Sequence, residues 1–182
     1  MSLPVVVCIG SSSVSGDALG PMVGDLLREV YNLPAFVYGG FSRPVNGVNY
    51  REYAEFIAGR HAGNFIIAVD ACVGAPEDVG RIKFSGSGLK AGGALNKELG
   101  RIGDIGILGV VAARSEDNLE ALMGAPFRLV EKLSEAIARK ISALVIGNDP
   151  ELLHFSSENF SVKRFAACRK SPSNYFTSFN SL

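Results

Sequence analysis

The sequence has little histidine, little cysteine and no tryptophan. Its two histidines are His61 and His154, and its three cysteines, Cys8, Cys72 and Cys168, lie far apart without a C-x-x-C pair. An odd number of widely spaced cysteines favours neither a disulfide framework nor a thiolate zinc site. Two histidines are too few for a histidine-rich metal site. We therefore expect no metal and no cofactor.

The sequence also lacks a net charge and a long hydrophobic run. Lys+Arg and Asp+Glu number 18 each, so the usual electrostatic argument for nucleic acid or an anionic membrane as partner is missing. No apolar run approaches the roughly 18 residues that a membrane-spanning helix needs. The N-terminal run "LPVVVCIG" is too short for a signal peptide and follows no basic segment. These features predict a cytoplasmic protein.

What is present is the composition of a folded domain. Hydrophobic residues make up 47% of the 182 residues and charged residues 20%, which excludes a disordered chain. We expect one domain over residues 1–148 and a Ser/Phe-rich tail over residues 149–182. The tail has too many phenylalanines for a plain disordered segment, so we expect it to pack across the domain or to join subunits into a homo-oligomer.

Hydrophobic patterning predicts strands alternating with helices. Continuous apolar runs, typical of strands buried on both faces of a sheet, occupy residues 3–10, 35–40, 64–72 and 104–112. The alternating segment 79–86 is typical of a more exposed strand at an edge or in a hairpin. Helices are expected after Pro21, after Asn49, after Ser115 as the cap, and from Pro126. This order predicts an α/β sandwich with a mainly parallel sheet.

Two acids stand beside the expected strand ends. Asp17 follows the first strand in "SSVSGDALGP", and Asp70 is expected to end the third strand in "NFIIAVDAC". Sites in open α/β sheets form at the carboxyl ends of strands, so neighbouring strands would bring both acids to one crevice. Close together, the acids would share a proton and activate water; farther apart, they could hold a divalent cation. Alternatively, Asp17 caps the following helix and Asp70 bonds loop amides.

Two further features have both chemical and structural interpretations. Cys72 lies near Asp70 and could act as a nucleophile, but no histidine is evident beside it, which favours a buried thiol. The loop "GSGLKAGGALNK" has backbone amides with Lys90 and Lys97 and could hold an anionic group. It lacks the G-K-[ST] ending of a P-loop, and it could equally be a flexible connection.

Several segments together resemble a known family. "VCIGSSSVSGDALGPMVGDLL", "PVNGVNY", "FIIAVDACVG" and "VGRIKFSGSGLKAGGALNKELGRIGDIGILGVV" occur in the order found in YyaC-type sporulation proteins. That family is related to the germination protease of spores and, more distantly, to hydrogenase maturation endopeptidases. The resemblance implies a three-layer α/β/α sandwich of the phosphorylase/hydrolase-like kind. It maps the two catalytic aspartates of the germination protease onto Asp17 and Asp70.

The resemblance also implies substrate-binding residues and a reaction. The glycine-rich loop similar to that near the protease active site contains Gly92, Gly93 and Lys97, and the "PVNGVN" segment contains Asn46. The implied activity is cleavage of a peptide bond by an aspartate pair, in a spore protein or a sporulation precursor. The alternative is a non-catalytic sporulation protein that binds a partner on the same scaffold.

The chain departs from the resembled family at three positions. Ser12 and Ser13 stand where YyaC-type proteins usually carry an Asp-Arg pair, and Asn46 stands where a histidine is expected. The maturation endopeptidases use a histidine for metal, and this chain has no match for it. An acid pair is therefore favoured over metal-assisted chemistry.

Overall fold

The computed structural model describes residues 2–90 and 101–147, which build a central sheet covered by helices. Its five strands are β1 (Val5–Cys8), β2 (Phe36–Tyr38), β3 (Ile66–Gly74), β4 (Ile82–Ser85) and β7 (Ile105–Ala113). They lie in the order β2-β1-β3-β7-β4. All neighbours in this sheet are parallel except β4, which runs antiparallel to β7. The mainly parallel sheet predicted from the sequence is thus confirmed.

Helices cover both faces of the sheet, giving three layers. The helices are α1 (Leu19–Asp25), which continues in wider turns over Leu26–Val30, α2 (Tyr50–Arg60), α3 (Asn118–Met123) and α4 (Phe127–Ile146). Buried residues of α1, α3 and α4 pack in one cluster with Val6, Cys8, Ile67 and Val69. Those of α2 pack in a second cluster with Val5, Val7, Ile9 and Ala68. The predicted α/β/α arrangement is confirmed.

The central strands are apolar on both faces because both faces are covered. Val5, Val6 and Val7 of β1 are all completely buried, and they alternate between the two clusters. A two-sided apolar run is therefore the signature of a central strand here, as expected for a parallel sheet between helices. By contrast, β4 lies at the edge and is only partly buried, as its alternating sequence predicted.

The structure confirms the predicted start of the last helix and corrects the predicted start of the helix before it. The helix expected from Pro126 is α4, and Gly147 ends it in the left-handed conformation (φ 76°), donating its N–H to Ala143 O. The predicted Ser115 cap is wrong. Asp117 begins α3, because its carboxylate accepts hydrogen bonds from the N–H groups of Leu119 and Glu120.

A small two-stranded element was not predicted from the sequence. β5 (Leu89–Lys90) and β6 (Arg101–Ile102) pair antiparallel outside the main sheet. The expected tail, with its proposed boundary after residue 148, lies outside the described residues. No helix within residues 2–90 and 101–147 is long and apolar enough to cross a membrane.

Candidate active site at the reversal of strand order

The strand order reverses between β1 and β3. From β1 the chain moves to β2 on one side, and it then returns to β3 on the other side of β1. Such a reversal opens a crevice at the carboxyl ends of the two central strands. The expectation that the strands associated with Asp17 and Asp70 are neighbours is confirmed, since Val5 to Cys8 pair with Ile66 to Val69.

Asp17 lies in a single turn of 3₁₀ helix, Gly16–Ala18, between β1 and α1. This turn packs closely on the end of β1. Gly10 has a φ of 151°, and a Cβ there would stand 2.0 Å from the carbonyl oxygen of Asp17. Gly16 is similarly close to α3, since its Cβ would lie 2.9 Å from the Leu122 carbonyl oxygen. Two glycines therefore permit the turn that presents Asp17.

The carboxylate of Asp17 does not cap the helix that follows. The N-cap of α1 is Ala18, which makes no side-chain capping bond. The backbone N–H of Ser11, in the loop before the turn, donates to the backbone carbonyl oxygen of Asp17 at 3.2 Å. Burial raises the pKa of Asp17 above its ordinary value, and the nearby N–H of Ser11 offsets part of that rise. Asp17 is thus an acid held partly out of water without a helix-capping role.

Asp70 is 6% exposed and lies inside β3 rather than at its end. The expectation that Asp70 is the last residue of its strand is wrong, because β3 continues to Gly74 along β7. Beside β1, however, the pairing stops at Cys8 and Val69, so Asp70 is the first residue beyond that ladder. One oxygen of its carboxylate, Oδ1, accepts a hydrogen bond of 2.8 Å from the N–H of Ala71.

The segment Ile9–Gly10 connects the surroundings of the two acids. Ile9 donates its N–H to the carbonyl oxygen of Val69, the residue before Asp70, at 2.8 Å. Gly10, the next residue, lies against the carbonyl oxygen of Asp17. Asp17 and Asp70 therefore both border the two residues that directly follow β1. Their pairing as a catalytic dyad stays a prediction.

Asn46 lies at the same edge of the sheet, where its side chain shapes the start of α2. Val45 forms a parallel bridge with Ile9, and its carbonyl oxygen accepts the N–H of Gly10 at 2.8 Å. Asn46 Oδ1 accepts the N–H of Val48, and the Asn46 N–H donates to Asn49 Oδ1. The other predicted substrate-binding residues, Gly92, Gly93 and Lys97, lie outside the described residues.

The two described cysteines, Cys8 and Cys72, and the described histidine have environments that disfavour reactivity. Burial raises the pKa of Cys72 to about 11 and that of Cys8 to about 12, so neither forms a thiolate near neutral pH. His61 ends α2 as predicted, with its N–H bonded to Ile57 O. It is buried against Phe36 and Tyr38, and burial lowers the pKa of its imidazole.

Tyr50 is a polar residue of this region that the sequence reasoning did not single out. It opens α2 and is 1% exposed, and its hydroxyl has no hydrogen-bond partner among the described residues. Burial, and next the negative charge of Asp70, raise the pKa of its phenol. An aromatic residue in a helix normally indicates core packing, so only its place directly after "PVNGVN" could have drawn attention to it.

A separate cavity lies beside β2. Its volume is about 570 Å³, and neither Asp17 nor Asp70 lines it. Tyr38, Tyr53 and Phe56 form its aromatic wall, with the rings of Tyr53 and Phe56 both edge-on to Tyr38. Because the two acids lie at the strand-order reversal and the cavity does not, the two features are distinct candidate sites. Residues 2–90 and 101–147 bring together no group of three His, Cys, Asp or Glu side chains that could hold a metal ion.

The fold of this chain is similar to that of a solved hydrogenase maturation protease. The HycI protease of Thermococcus kodakarensis KOD1 aligns with a TM-score of 0.56 and 18% identity, covering 80% of this chain and 93% of that one. The HybD protease of Thermococcus kodakarensis aligns with a TM-score of 0.43 and 20% identity, covering 78% and 99%. At such identities the likeness to HycI concerns the α/β fold alone.

Sequence comparison then identifies the family. Residues 3–140 match the family described as protein of unknown function (DUF1256), and the chain belongs to that family. The uncharacterized protein YyaC of Bacillus subtilis (strain 168) is 36% identical over 138 residues, which are 76% of this chain and 67% of that protein. The resemblance to YyaC-type proteins found in the sequence is confirmed.

Proposed function

We propose that the protein is a peptidase that cleaves a peptide bond with Asp17 and Asp70. The observation that carries this proposal is the position of the two acids around the end of β1, at the reversal of strand order. A peptidase-like scaffold and membership of the YyaC family support it. The absence of a helix-capping role for Asp17 removes the simplest structural explanation for that residue.

The two acids would divide the chemistry between them. Burial raises the pKa of Asp17, so it holds its proton over more of the acidic range and suits the general acid. Asp70 would take a proton from a water molecule as that water attacks the scissile carbonyl carbon. Asp17 would then protonate the leaving amine as the C–N bond breaks. Water and one peptide bond become one carboxylic acid and one amine, so atoms and protons balance.

We further propose a protein substrate of the sporulating cell. A small acid-soluble spore protein or a sporulation precursor is the first candidate, and the cytoplasm is the proposed location. We propose no nucleic-acid or membrane partner, because the net charge of the sequence is zero. Asn46 and the loop containing Gly92, Gly93 and Lys97 would contact the peptide.

The test is cleavage by wild-type protein and by isosteric variants. The substrates are a mixture of unstructured decapeptides and a purified small acid-soluble spore protein, with products read by mass spectrometry. Asp17→Asn and Asp70→Asn should each lower kcat/KM by about 10²- to 10⁴-fold while the circular dichroism spectrum is kept. Asp78→Asn is the control, because Asp78 pairs with Arg81, just before β4, and with Lys83 on β4. Equal activity of the Asp17, Asp70 and Asp78 variants would refute the proposal.

A partner-binding function is the second candidate, favoured by the cavity beside β2. Its aromatic wall, with Phe56 half exposed, offers apolar surface away from both acids. A homo-oligomer formed through the tail would be one such interaction. Removal of residues 150–182 separates the two functions. A peptidase should keep its turnover, whereas a binding protein that uses the tail should lose its oligomeric state in light scattering.

A further inference from the structure

The cavity beside β2 combines two kinds of chemistry in one lining. Its volume of about 570 Å³ lies within the range of roughly 300–1,000 Å³ that is usual for small-molecule sites. Three aromatic rings line it, those of Tyr38, Tyr53 and Phe56, together with the guanidinium groups of Arg28 and Arg43. Phe56 is half exposed and Arg43 is exposed, so the cavity is open to molecules in solution.

The aromatic rings are held in place without a ligand. The hydroxyl of Tyr38 lies 2.6 Å from Nε2 of His61, and this hydrogen bond fixes the orientation of the ring. The rings of Tyr53 and Phe56 stand edge-on to Tyr38, with their centroids 6.3 and 5.8 Å from its own. Because the rings are already ordered, binding a planar ligand costs little conformational entropy.

The guanidinium group of Arg28 is also held in place. Its Nη1 donates to the carbonyl oxygens of Val37 and Gly39, and its Nη2 pairs with Asp25. The absence of a side chain at Gly40 makes this position possible, because a Cβ there would collide with Nη2 of Arg28. The Arg28 side chain is still 36% exposed, so a ligand in the cavity can reach it.

The charges of the lining favour an anion. Asp25 already offsets the charge of Arg28, so the main attraction comes from Arg43, in the exposed segment between β2 and α2. Glu52, an exposed residue of α2, also lines the cavity and opposes an anion. The planar fork of a guanidinium group matches a carboxylate or a phosphate. Ordered rings beside two arginines therefore suit a ligand that has both a planar ring and an anionic group.

We propose that the cavity beside β2 is a binding site for a small molecule that carries a planar aromatic ring and a carboxylate or phosphate group. The ring lies against the three aromatic side chains, and the anionic group binds the two arginines. This inference is independent of the peptidase proposal, because neither Asp17 nor Asp70 lines the cavity.

The test is isothermal titration calorimetry of the full chain with two aromatic anions, 1-naphthyl phosphate and 1-naphthoate. The neutral 1-naphthalenemethanol supplies the ring alone, and inorganic phosphate supplies the charge alone. We expect at least one aromatic anion to bind at one site with a Kd of about 1 mM or lower. Its affinity should exceed that of the ring alone and of inorganic phosphate by about tenfold or more.

Substitutions of charged residues should change the affinity for the aromatic anion in opposite directions. Arg43→Gln should weaken it about tenfold, because a charged hydrogen bond is lost, and should leave the affinity for 1-naphthalenemethanol unchanged. Glu52→Gln should strengthen it about twofold, because a like charge is removed. Arg51→Gln is the matched control, since Arg51 is an exposed arginine of α2 outside the lining.

Substitution of Phe56 tests the aromatic part of the site. Phe56→Ala should weaken both the aromatic anion and 1-naphthalenemethanol, because each loses contact with the ring. Phe127→Ala is its control, since Phe127 is 53% exposed, close to the 50% of Phe56, and lies outside the lining. The melting temperatures of all these variants should match that of wild type, because the substituted side chains are exposed.

Three results would each overturn the inference. The first is the absence of heat from either aromatic anion at concentrations up to about 5 mM. The second is equal affinity of the Arg43→Gln and Arg51→Gln variants for the anion, which would show attraction to net charge alone. The third is unchanged affinity of Phe56→Ala for both ring-bearing probes, which would place the bound ring elsewhere.

Discussion

The backbone of Gly10 lies directly against the carbonyl oxygen of Asp17, at a distance that leaves no room for a Cβ atom. The positive φ of 151° at Gly10 adds a conformational reason for glycine. Gly10→Ala should therefore displace the turn of Asp17. We expect a loss of about 3 kcal/mol in the free energy of unfolding, measured by urea denaturation, and loss of activity.

Gly59→Ala is the control for that substitution. Gly59 lies on the exposed side of α2, and a Cβ there would meet nothing within 4 Å. Alanine should stabilise the helix by about 1 kcal/mol. Similar effects of the two substitutions would contradict the packing of Gly10 on Asp17.

Asp17→Asn should stabilise the protein at neutral pH. Burial raises the pKa of Asp17, so ionising it costs more in the folded than in the unfolded state. Its favourable contribution is complete below the unfolded pKa, about 3.9. That contribution is lost as the pH rises through the higher folded pKa. The variant should melt at a higher temperature than wild type at pH 7, and the difference should shrink toward pH 4. A lower melting temperature at pH 7 would show that the charged carboxylate stabilises the fold.

Arg28 should protect the open edge of the sheet. Its Nη1 donates to the carbonyl oxygens of Val37 and Gly39, at 3.3 and 3.0 Å, and its guanidinium also pairs with Asp25. β2 is an edge strand, and these contacts occupy acceptors that another strand could otherwise use. Arg28→Met should lower the free energy of unfolding by about 1–2 kcal/mol and increase self-association in size-exclusion chromatography.

Two further variants make the prediction for Arg28 specific. Arg28→Lys should recover only part of the loss, because an ammonium group lacks the planar fork that reaches both carbonyls and Asp25. Arg51→Met, at an exposed position of α2, controls for loss of a positive charge. Self-association of both methionine variants alike would point to net charge rather than to the β2 edge.

His61 should make stability depend on pH near neutrality. Burial, and next the charge of Arg60, lower the pKa of His61, whose Nε2 lies 2.6 Å from the hydroxyl of Tyr38. Because the folded pKa is depressed, the contribution to stability is full above the unfolded pKa, about 6.5. It is lost as the pH falls through the folded value. The melting temperature of wild type should therefore drop between pH 7.5 and 5.5, and His61→Gln should flatten that drop. An equal drop in the variant would assign it to other groups.

Local sequence patterns predicted those parts of the fold that depend on local burial. The valine-rich run of β1 and the apolar stripe of α4 were located to within a few residues, because a two-sided sheet and an amphipathic helix leave periodic signals. The end of β3 was misplaced because it depends on the length of its partner β7, which no pattern near Asp70 records. The start of α3 was misplaced at Ser115 because serine and aspartate are both common capping residues, and only the backbone geometry shows that Asp117 caps the helix.

Part of the candidate site was also predicted from local sequence patterns. Asp17 and Asp70 are visible as isolated acids beside apolar strands, and the neighbouring position of β1 and β3 follows from common topologies. Tyr50 was missed because the burial of its hydroxyl is a property of its surroundings. The contacts of Arg28 with β2 were missed because the residues that make them come together only in the folded chain.

The two acids are anchored in very different ways, which bears on how such a site can change over evolutionary time. Asp70 cannot shift without breaking the ladder between β3 and β7. Asp17 depends on a short loop in which Ser12 and Ser13 are exposed. Divergence at these two serines therefore alters the rim of the site without disturbing the sheet. Related proteins can therefore differ at this rim, and so in which molecules enter the site, while Asp70 keeps its position inside the sheet.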